Sequence, residues 1–471
     1  MTIFDLLYPG VPLWARILFG IALVIAILSF ISIVVLVVVA RRFRREMRRR
    51  RDAEDTLTAD DFLWIFLVPA LNEEVTISDS VSRLQQVKAA RTVIYVIDDG
   101  SEDATAEILA RIDDRRLRIL TRVPPDARTG KADALNAAYR DIDVLLTQPE
   151  FDGVTRDRVI VGMVDADGRL DPDAPAGVAA HFSDPRVGGV QVRVRIYNRR
   201  GWLTWAQDVE FATFGYIFQA GRAAWGTANM GGNGQFNRLS ALDTVEVTVP
   251  EEPEEPTRDA ATETSRPPVH AGGPWRHRLT EDQDLGVRLL HEQWAGEHDN
   301  DVTIEQQGLN SLRRLYRQRV RWAQGNWQSL SLLGGVGGIR TSLAGRIDAV
   351  WYLLTPPLQL IMGIAFAVSI VFSLLSLASY QPPYLITFVF FLSLGFGAGV
   401  VALTIIGGKW YSIFTALLLV IPYTIYSWMI FPVLFASLVR QLAGRKSWTK
   451  TAREPIDEET TDAASPVPPP G

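Results

Sequence analysis

The chain contains no cysteine, so disulfides and thiolate catalysis are excluded, which fits a cytoplasmic domain. Its five histidines show no metal-ligand spacing, and no Gly-x-Ser-x-Gly elbow appears. Gly130-Lys131 hints at a phosphate loop. The first glycine of a Walker motif is missing, however, and Ala132 stands where Ser or Thr is required. The formal net charge of -5 averages basic clusters against acidic loops and gives no sign of nucleic-acid binding.

Charge is also missing from long stretches. Residues 17–40 carry none, and about 24 apolar residues suffice to span a bilayer. Arg41, Arg42, Arg44, Arg45, Arg48, Arg49, Arg50 and Arg51 follow at once, which marks the cytoplasmic side. The stretch is too long for a signal-peptide core and no small-residue cleavage site follows it, so it reads as an anchor with its N-terminus outside. Residues 349–408 are likewise uncharged, and a further apolar stretch covers 410–439. Pro382-Pro383 and Gly407-Gly408-Lys409 are natural breaks. Spans are therefore expected near 350–378, 384–406 and 411–438, kinked at Pro356-Pro357, Pro422 and Pro432. One span before and three after the soluble part put the C-terminus outside, whereas Arg440, Arg445, Lys446, Lys450 and Arg453 argue for inside. A re-entrant or interfacial segment reconciles the two, and the tail is read as cytoplasmic.

With 471 residues the chain has room for one large soluble domain plus a membrane part. The expected divisions are an anchor with its basic segment over 1–55, a soluble domain over 56–335, a transmembrane region over 336–445 and a largely disordered tail over 446–471. Residues 62–68, 93–97, 117–120 and 159–164 are near-continuous apolar runs, as parallel strands covered on both faces should be. Helical patterns lie near 76–90, 103–113 and 131–146. The result is a doubly wound α/β layout, which binds ligands at the carboxyl ends of its strands. Residues 187–196 alternate like a half-solvated strand. Trp202, Trp205, Phe211, Phe214, Tyr216, Phe218 and Trp225 crowd a helical stretch suited to a membrane interface, a sugar channel or an ordinary core. Residues 245–270, rich in Pro, Glu and Thr, read as a flexible insertion.

Polar stations stand at the strand ends. Asp98-Asp99-Gly100-Ser101 follows one strand, with Ser101 placed to cap the next helix and the carboxylates suited to a nucleotide base and ribose; a plain capped loop is the other reading. Asp165-Ala166-Asp167 puts two carboxylates where they can address one divalent cation and a ribose, unless it is only a polar turn. Thr280-Glu281-Asp282-Gln283 matches a capping box that starts a helix over 285–294. A first-turn Asp282 is expected to have a lowered pKa, because a helix N-terminus favours its ionised form. Gln318, Arg321 and Trp322 share one helical face. Arg suits a diphosphate and Trp a sugar ring. Arg313, Arg314, Arg317 and Arg319 also allow a basic interfacial helix attracted to anionic lipid.

In order, these stations resemble the membrane-embedded family 2 glycosyltransferases, the group of cellulose, chitin and hyaluronan synthases. The matching pieces are Val68-Pro69-Ala70-Leu71-Asn72-Glu73-Glu74, Ile97-Asp98-Asp99-Gly100-Ser101, Gly130-Lys131-Ala132-Asp133-Ala134-Leu135-Asn136, Val164-Asp165-Ala166-Asp167-Gly168, Thr280-Glu281-Asp282, Gln318-x-x-Arg321-Trp322 and Trp448-Thr449-Lys450-Thr451-x-Arg453. The resemblance implies a GT-A fold, Rossmann-like with a mostly parallel sheet, in a cytoplasmic domain joined to α-helical transmembrane segments and interfacial helices. It implies a UDP-sugar donor, Mg2+ or Mn2+, and inversion at the anomeric carbon. By the same resemblance Asp98 and Asp99 face the base or ribose of UDP with Lys131 close by, and Asp165 and Asp167 hold the nucleotide and the cation. Asp282 is the general base, with Glu281 on the acceptor side. Gln318, Arg321 and Trp322 organise the diphosphate and the acceptor site. Asn229 to Arg238 departs from the Gly-Thr pattern of cellulose synthases, and Gly232 and Asn233 in this loop are expected to line the acceptor pocket.

The leading expectation is a multi-pass cell-membrane enzyme that elongates a β-linked glycan from a UDP-sugar. The alternative is a transferase that adds one or a few sugars to a membrane lipid. Membrane lipids, a glycan or lipid acceptor and the UDP-sugar are the expected partners; a monomer and a homo-oligomer both stay open. A transporter is disfavoured, because residues 349–408 lack the ionisable side chains that transport uses.

Overall fold

A computed structural model describes residues 11–247, 272–375 and 412–444. Eight strands form one mixed sheet: β1 (Leu63–Ala70), β2 (Thr92–Asp98), β3 (Leu117–Thr121), β4 (Val159–Met163), β5 (Arg169–Leu170), β6 (Val187–Ile196), β7 (Gln235–Arg238) and β8 (Ala295–Gln306). Their spatial order is β3-β2-β1-β4-β7-β6-β8-β5. The half β3-β2-β1-β4 is wholly parallel. β7 runs antiparallel to β4 and β6, β8 runs parallel to β6, and β5 closes the edge antiparallel to β8.

The apolar runs map onto β1 to β4 because both sheet faces are covered. Trp64, Phe66, Ile94 and Val96 pack into one core, while Ile65, Leu67, Val93, Tyr95 and Ile97 pack into another. Helices Ile77–Gln85, Thr105–Ala110 and Lys131–Leu146 stand where helical patterns were expected, the first two shorter. Helix Glu281–His291 begins earlier than 285, since Thr280 already serves as its N-cap.

Two strands escape the apolar pattern. β7 is short, and β8 carries Glu297, His298 and Asp299, all buried. The two carboxylates are satisfied from elsewhere: the buried His181 ring lies between Glu297 at 2.6 Å and Asp299 at 2.8 Å. Arg50 donates to Glu297 at 3.0 Å, and Arg51 pairs with Asp299 and Asp301. The basic run after the anchor thus turns partly into the domain.

Among the described residues three helices are long and apolar enough to cross a membrane: Leu13–Arg51, Leu343–Phe372 and Leu418–Leu442. The first packs on the second through Phe19, Ala22, Ala365 and Phe372. Pro356 and Pro357 lie within the second. The third breaks at Trp428-Met429, between helices Ser412–Ser427 and Ile430–Leu442. The expected span over 384–406, all but the first three residues of the expected insertion over 245–270, and the tail over 446–471 lie outside the described residues. The aromatic stretch forms helix Trp202–Thr213, a wider turn over Phe214–Gln219 and helix Ala220–Ala223. It is wedged between the first and third of these apolar helices: Ile217 packs against Leu36, and Ala206 shares a cluster with Tyr423 and Tyr426.

Candidate functional site

The parallel strands deliver their polar termini to one edge. Asp98 ends β2, and its Oδ1 accepts the Ser101 N–H at 2.9 Å, which closes the turn at Gly100, where φ is +79°. Ser101 does not cap the next helix. Its hydroxyl oxygen instead accepts the N–H of Asn72 at 2.9 Å and ties the Asn72-Glu73-Glu74 loop to this turn. Asp99 is buried and accepts from the Arg122 guanidinium and, at 3.0 Å, from the Arg128 N–H. Burial pushes its carboxyl above the ordinary value, against these two donors.

A second group gathers around Lys131, the first residue of its helix. Its ammonium donates to Asp165 Oδ1 at 2.9 Å and stands 3.4 Å from Glu281 Oε1. Burial works to lower the Lys131 pKa, but Asp165 and Glu281 outweigh it and raise it. Asp165 also uses its N–H, donating to Asn233 Oδ1 at 3.0 Å, and Asn233 Nδ2 reaches Gln306 at 3.1 Å. Asp167 is buried and accepts the Gln307 N–H at 3.3 Å. One loop therefore links the end of β4 to the end of β8.

Asp282 adjoins Glu281 in the first turn of helix Glu281–His291. Its Oδ1 accepts the Gln283 N–H at 2.9 Å. The lowered pKa expected from the helix N-terminus is overturned: burial, then the Glu281 charge, push Asp282 up to about 7, against Lys131 and the helix N–H. The helix field is weaker than desolvation beside a like charge. The capping box is also absent, since the Thr280 hydroxyl pairs at 3.3 Å with the side chain of Gln283 instead of a backbone group.

Helix Leu312–Ser329 carries Gln318, Arg321 and Trp322, all half-buried. It meets the Asp282 helix at Gly325, where a β-carbon would fall 2.4 Å from Thr280 Oγ1, and Gln328 accepts the Leu279 N–H at 3.1 Å. Trp322 packs against Phe211, ring centroids 6.5 Å apart, and carries the Arg319 guanidinium 4.4 Å from its centroid. Arg319 is buried and paired with Glu210 at 2.7 Å, so it does not belong to a lipid-facing basic strip. Among the described residues no hydrogen bond joins Gln318 or Trp322 to the carboxylates.

Lys131, Asp165, Glu281, Asp282, Gly232 and Asn233 thus share one site, and Asp167 borders it through β8. Asp98 and Asp99 form an adjoining group with Arg122. Arg122 was missed; its signal is a guanidinium directly after the strand β3, opposite Asp99. Asn229 belongs to the loop that the sequence singled out, but its partner Tyr352 was missed, and nothing in the local sequence of Tyr352 announces it.

The donor set is all hard oxygen. Among the described residues no group of three or more His, Asp or Glu side chains is arranged to hold a metal. Two carboxylates, Asp165 and Asp167, fit a cation that takes its remaining ligands from substrate phosphates.

A family model described as glycosyltransferase like family 2 matches residues 64–325. A beta-monoglucosyldiacylglycerol synthase from Synechocystis sp. is 30% identical over 268 residues, covering 56% of this chain and 47% of the relative. A poly-beta-1,6-N-acetyl-D-glucosamine synthase from Staphylococcus aureus is 28% identical over 291 residues, 61% of this chain and 60% of the relative. The chain spans about half the length of the first of these. Among solved structures, the mannosyltransferase PcManGT from Pyrobaculum calidifontis, in complex with GDP-Man and Mn2+, superposes with a TM-score of 0.55 at 18% identity, over 91% of this chain and 99% of that one. The likeness is one of fold, and the fold is GT-A.

Proposed function

Because the chain belongs to glycosyltransferase-like family 2, we propose that it transfers a hexose from a UDP-sugar, with inversion, to a hydroxyl presented at the membrane surface, and that the acceptor is a membrane lipid. The observation that carries this reading is the seat of the base helix. Val287 and Leu290 of helix Glu281–His291 share an apolar cluster with Ala349 and Leu353 of a membrane-crossing helix. In this reading Asp282 works at the edge of the bilayer, in the helix that carries this cluster.

In this reading the acceptor O–H gives its proton to the Asp282 carboxylate. The acceptor oxygen bonds the anomeric carbon, and the bond from that carbon to the UDP phosphate oxygen breaks. A base near pH 7 matches that task. Lys131 places a positive charge beside Asp165 on the donor side, and Asp99 with Arg122 frames the uracil or ribose. Asp165 and Asp167 would hold Mg2+ or Mn2+, which supplies charge neutralisation at the diphosphate. Arg321 is assigned to the diphosphate, with Gln318 and Trp322 towards the acceptor. Multi-pass insertion with the domain on the cytoplasmic side belongs to the same proposal, on the strength of the arginines after residue 40.

Elongation of a β-linked glycan is the second reading, favoured by the Gln318-x-x-Arg321-Trp322 set. Against it, Trp322 already carries Arg319 over one ring face, which leaves less of it as a sugar platform. The test is incubation of the purified protein in lipid vesicles with each radiolabelled UDP-sugar, followed by solvent extraction and sizing. Label in an extractable lipid bearing one or a few sugars supports the proposal. Label confined to a long aqueous glycan overturns the lipid acceptor, and no transfer from any donor overturns the whole reading.

A further inference from the structure

The loop from Asn229 to Gly234 touches three parts of the molecule. At Gly232 it meets the base, since a β-carbon there would lie 3.0 Å from Asp282 Oδ2. At Asn233 it holds the Asp165 N–H at 3.0 Å. At Asn229 it meets a membrane-crossing helix, where Asn229 Nδ2 donates to the Tyr352 hydroxyl at 2.8 Å.

The rest of the loop is cradled by buried amides. Gln219 brackets Asn229, accepting its N–H at 3.2 Å and donating to its carbonyl. Gln191 accepts the Gly231 N–H at 2.8 Å and donates to the Asn233 carbonyl at 2.9 Å. Gly286 of the base helix comes so close that a β-carbon would fall 2.1 Å from Asn229 Oδ1. Asn229 thus has little free space beside the base helix.

Tyr352 is itself clamped. The Arg222 guanidinium lies 4.3 Å from its ring centroid and donates through Nε to Asp348 at 2.8 Å, one helical turn earlier. Arg222 and Asp348 are both buried. A buried ion pair contributes little net stability compared with an apolar contact of the same shape, so mere anchoring of this helix does not call for one. Polar groups in a helix of this kind point to function.

We propose that Tyr352 is a positioning residue that, through Asn229 and the loop, holds Gly232 against Asp282, so that the seat of the membrane helix sets the geometry of the base. This inference rests on the proposed transfer reaction for its kinetic consequence, but not for its structural one.

Tyr352→Phe removes the hydroxyl and keeps the ring. In vesicles its kcat is expected to fall about tenfold while KM for the UDP-sugar stays within about twofold. The acid limb of its pH–rate profile should move as well. Hydrogen exchange should quicken over residues 227–235 and stay unchanged over β2. Asn229→Ala should behave alike, and the double variant should be no worse than either single. A Tyr352→Phe enzyme with ordinary kcat and ordinary exchange would overturn the inference, as would a rise in KM alone. Quickened exchange in a protein whose unmodified form transfers no sugar would sink the proposed function and leave the positioning role standing.

Discussion

Gly232 lies so close to Asp282 that a larger residue at 232 would press on the base: φ of Gly232 is +80°, and its missing β-carbon would lie 3.0 Å from Asp282 Oδ2. Gly232→Ala combines a left-handed backbone that costs about 1–2 kcal/mol with a push on the carboxylate. The variant should lose about tenfold in kcat, since a full 1 Å misplacement of a reacting group costs about 100-fold and this push is smaller. Single-turnover kinetics beside thermal unfolding would separate the two effects.

Asp282 is raised from its ordinary 3.8 to about 7, by burial first and Glu281 second. A base works only when ionised, so kcat/KM should drop as pH falls below about 7. Between these two values the folded chain keeps a proton that the unfolded chain has lost, so stability should decline as pH rises through that window. Asp282→Asn should abolish transfer, retain UDP binding by calorimetry and remove both dependences. Undiminished turnover in that variant would take Asp282 out of the mechanism.

Lys131 and Glu281 act on Asp282 with opposite sign. Lys131→Met should carry the acid limb of kcat to higher pH, and should also weaken donor binding through the loss of its contact with Asp165. Glu281→Gln should carry the limb to lower pH. Limbs that moved together, or not at all, would refute the electrostatic account of this site.

His181 carries a different pH signature. Burial lowers its pKa, but hydrogen bonds to Asp299 and Glu297 outweigh that and raise it to about 9. Arg50, Arg51, Asp301 and the neighbouring His298 complete its surroundings. A histidine raised above its unfolded 6.5 contributes stability that is complete below that value and lost as pH rises through about 9. The unfolding temperature in detergent should therefore decline between about pH 7 and 9.5. His181→Gln should melt lower at pH 6.5 and show a flatter profile.

The parallel half of the sheet was legible because its strands are buried on both faces, and a run such as Val93 to Ile97 needs no partner to declare itself. The stations Asp98-Asp99 and Asp165-Ala166-Asp167 were legible for the same reason, since they begin where those runs end, and Glu281-Asp282 because it opens the following helix. β8 was not: no apolar run announces it, because its buried Glu297 and Asp299 are neutralised by His181, Arg50 and Arg51, more than a hundred residues away. Ser101 was misread as a helix cap because the competing donor, Asn72, comes from another loop.

The order of the motifs was enough for the resemblance to the family, and residue type was enough for the parallel strands and the polar turns at their ends, because apolar burial and turn chemistry act over a few neighbouring residues. The protonation of Asp282 and the reach of Tyr352 to Asn229 were settled only by folding. Desolvation and charge depend on distance in space, and the helix-end effect that a local reading could supply is smaller than the burial and the Glu281 charge that the tertiary fold imposes.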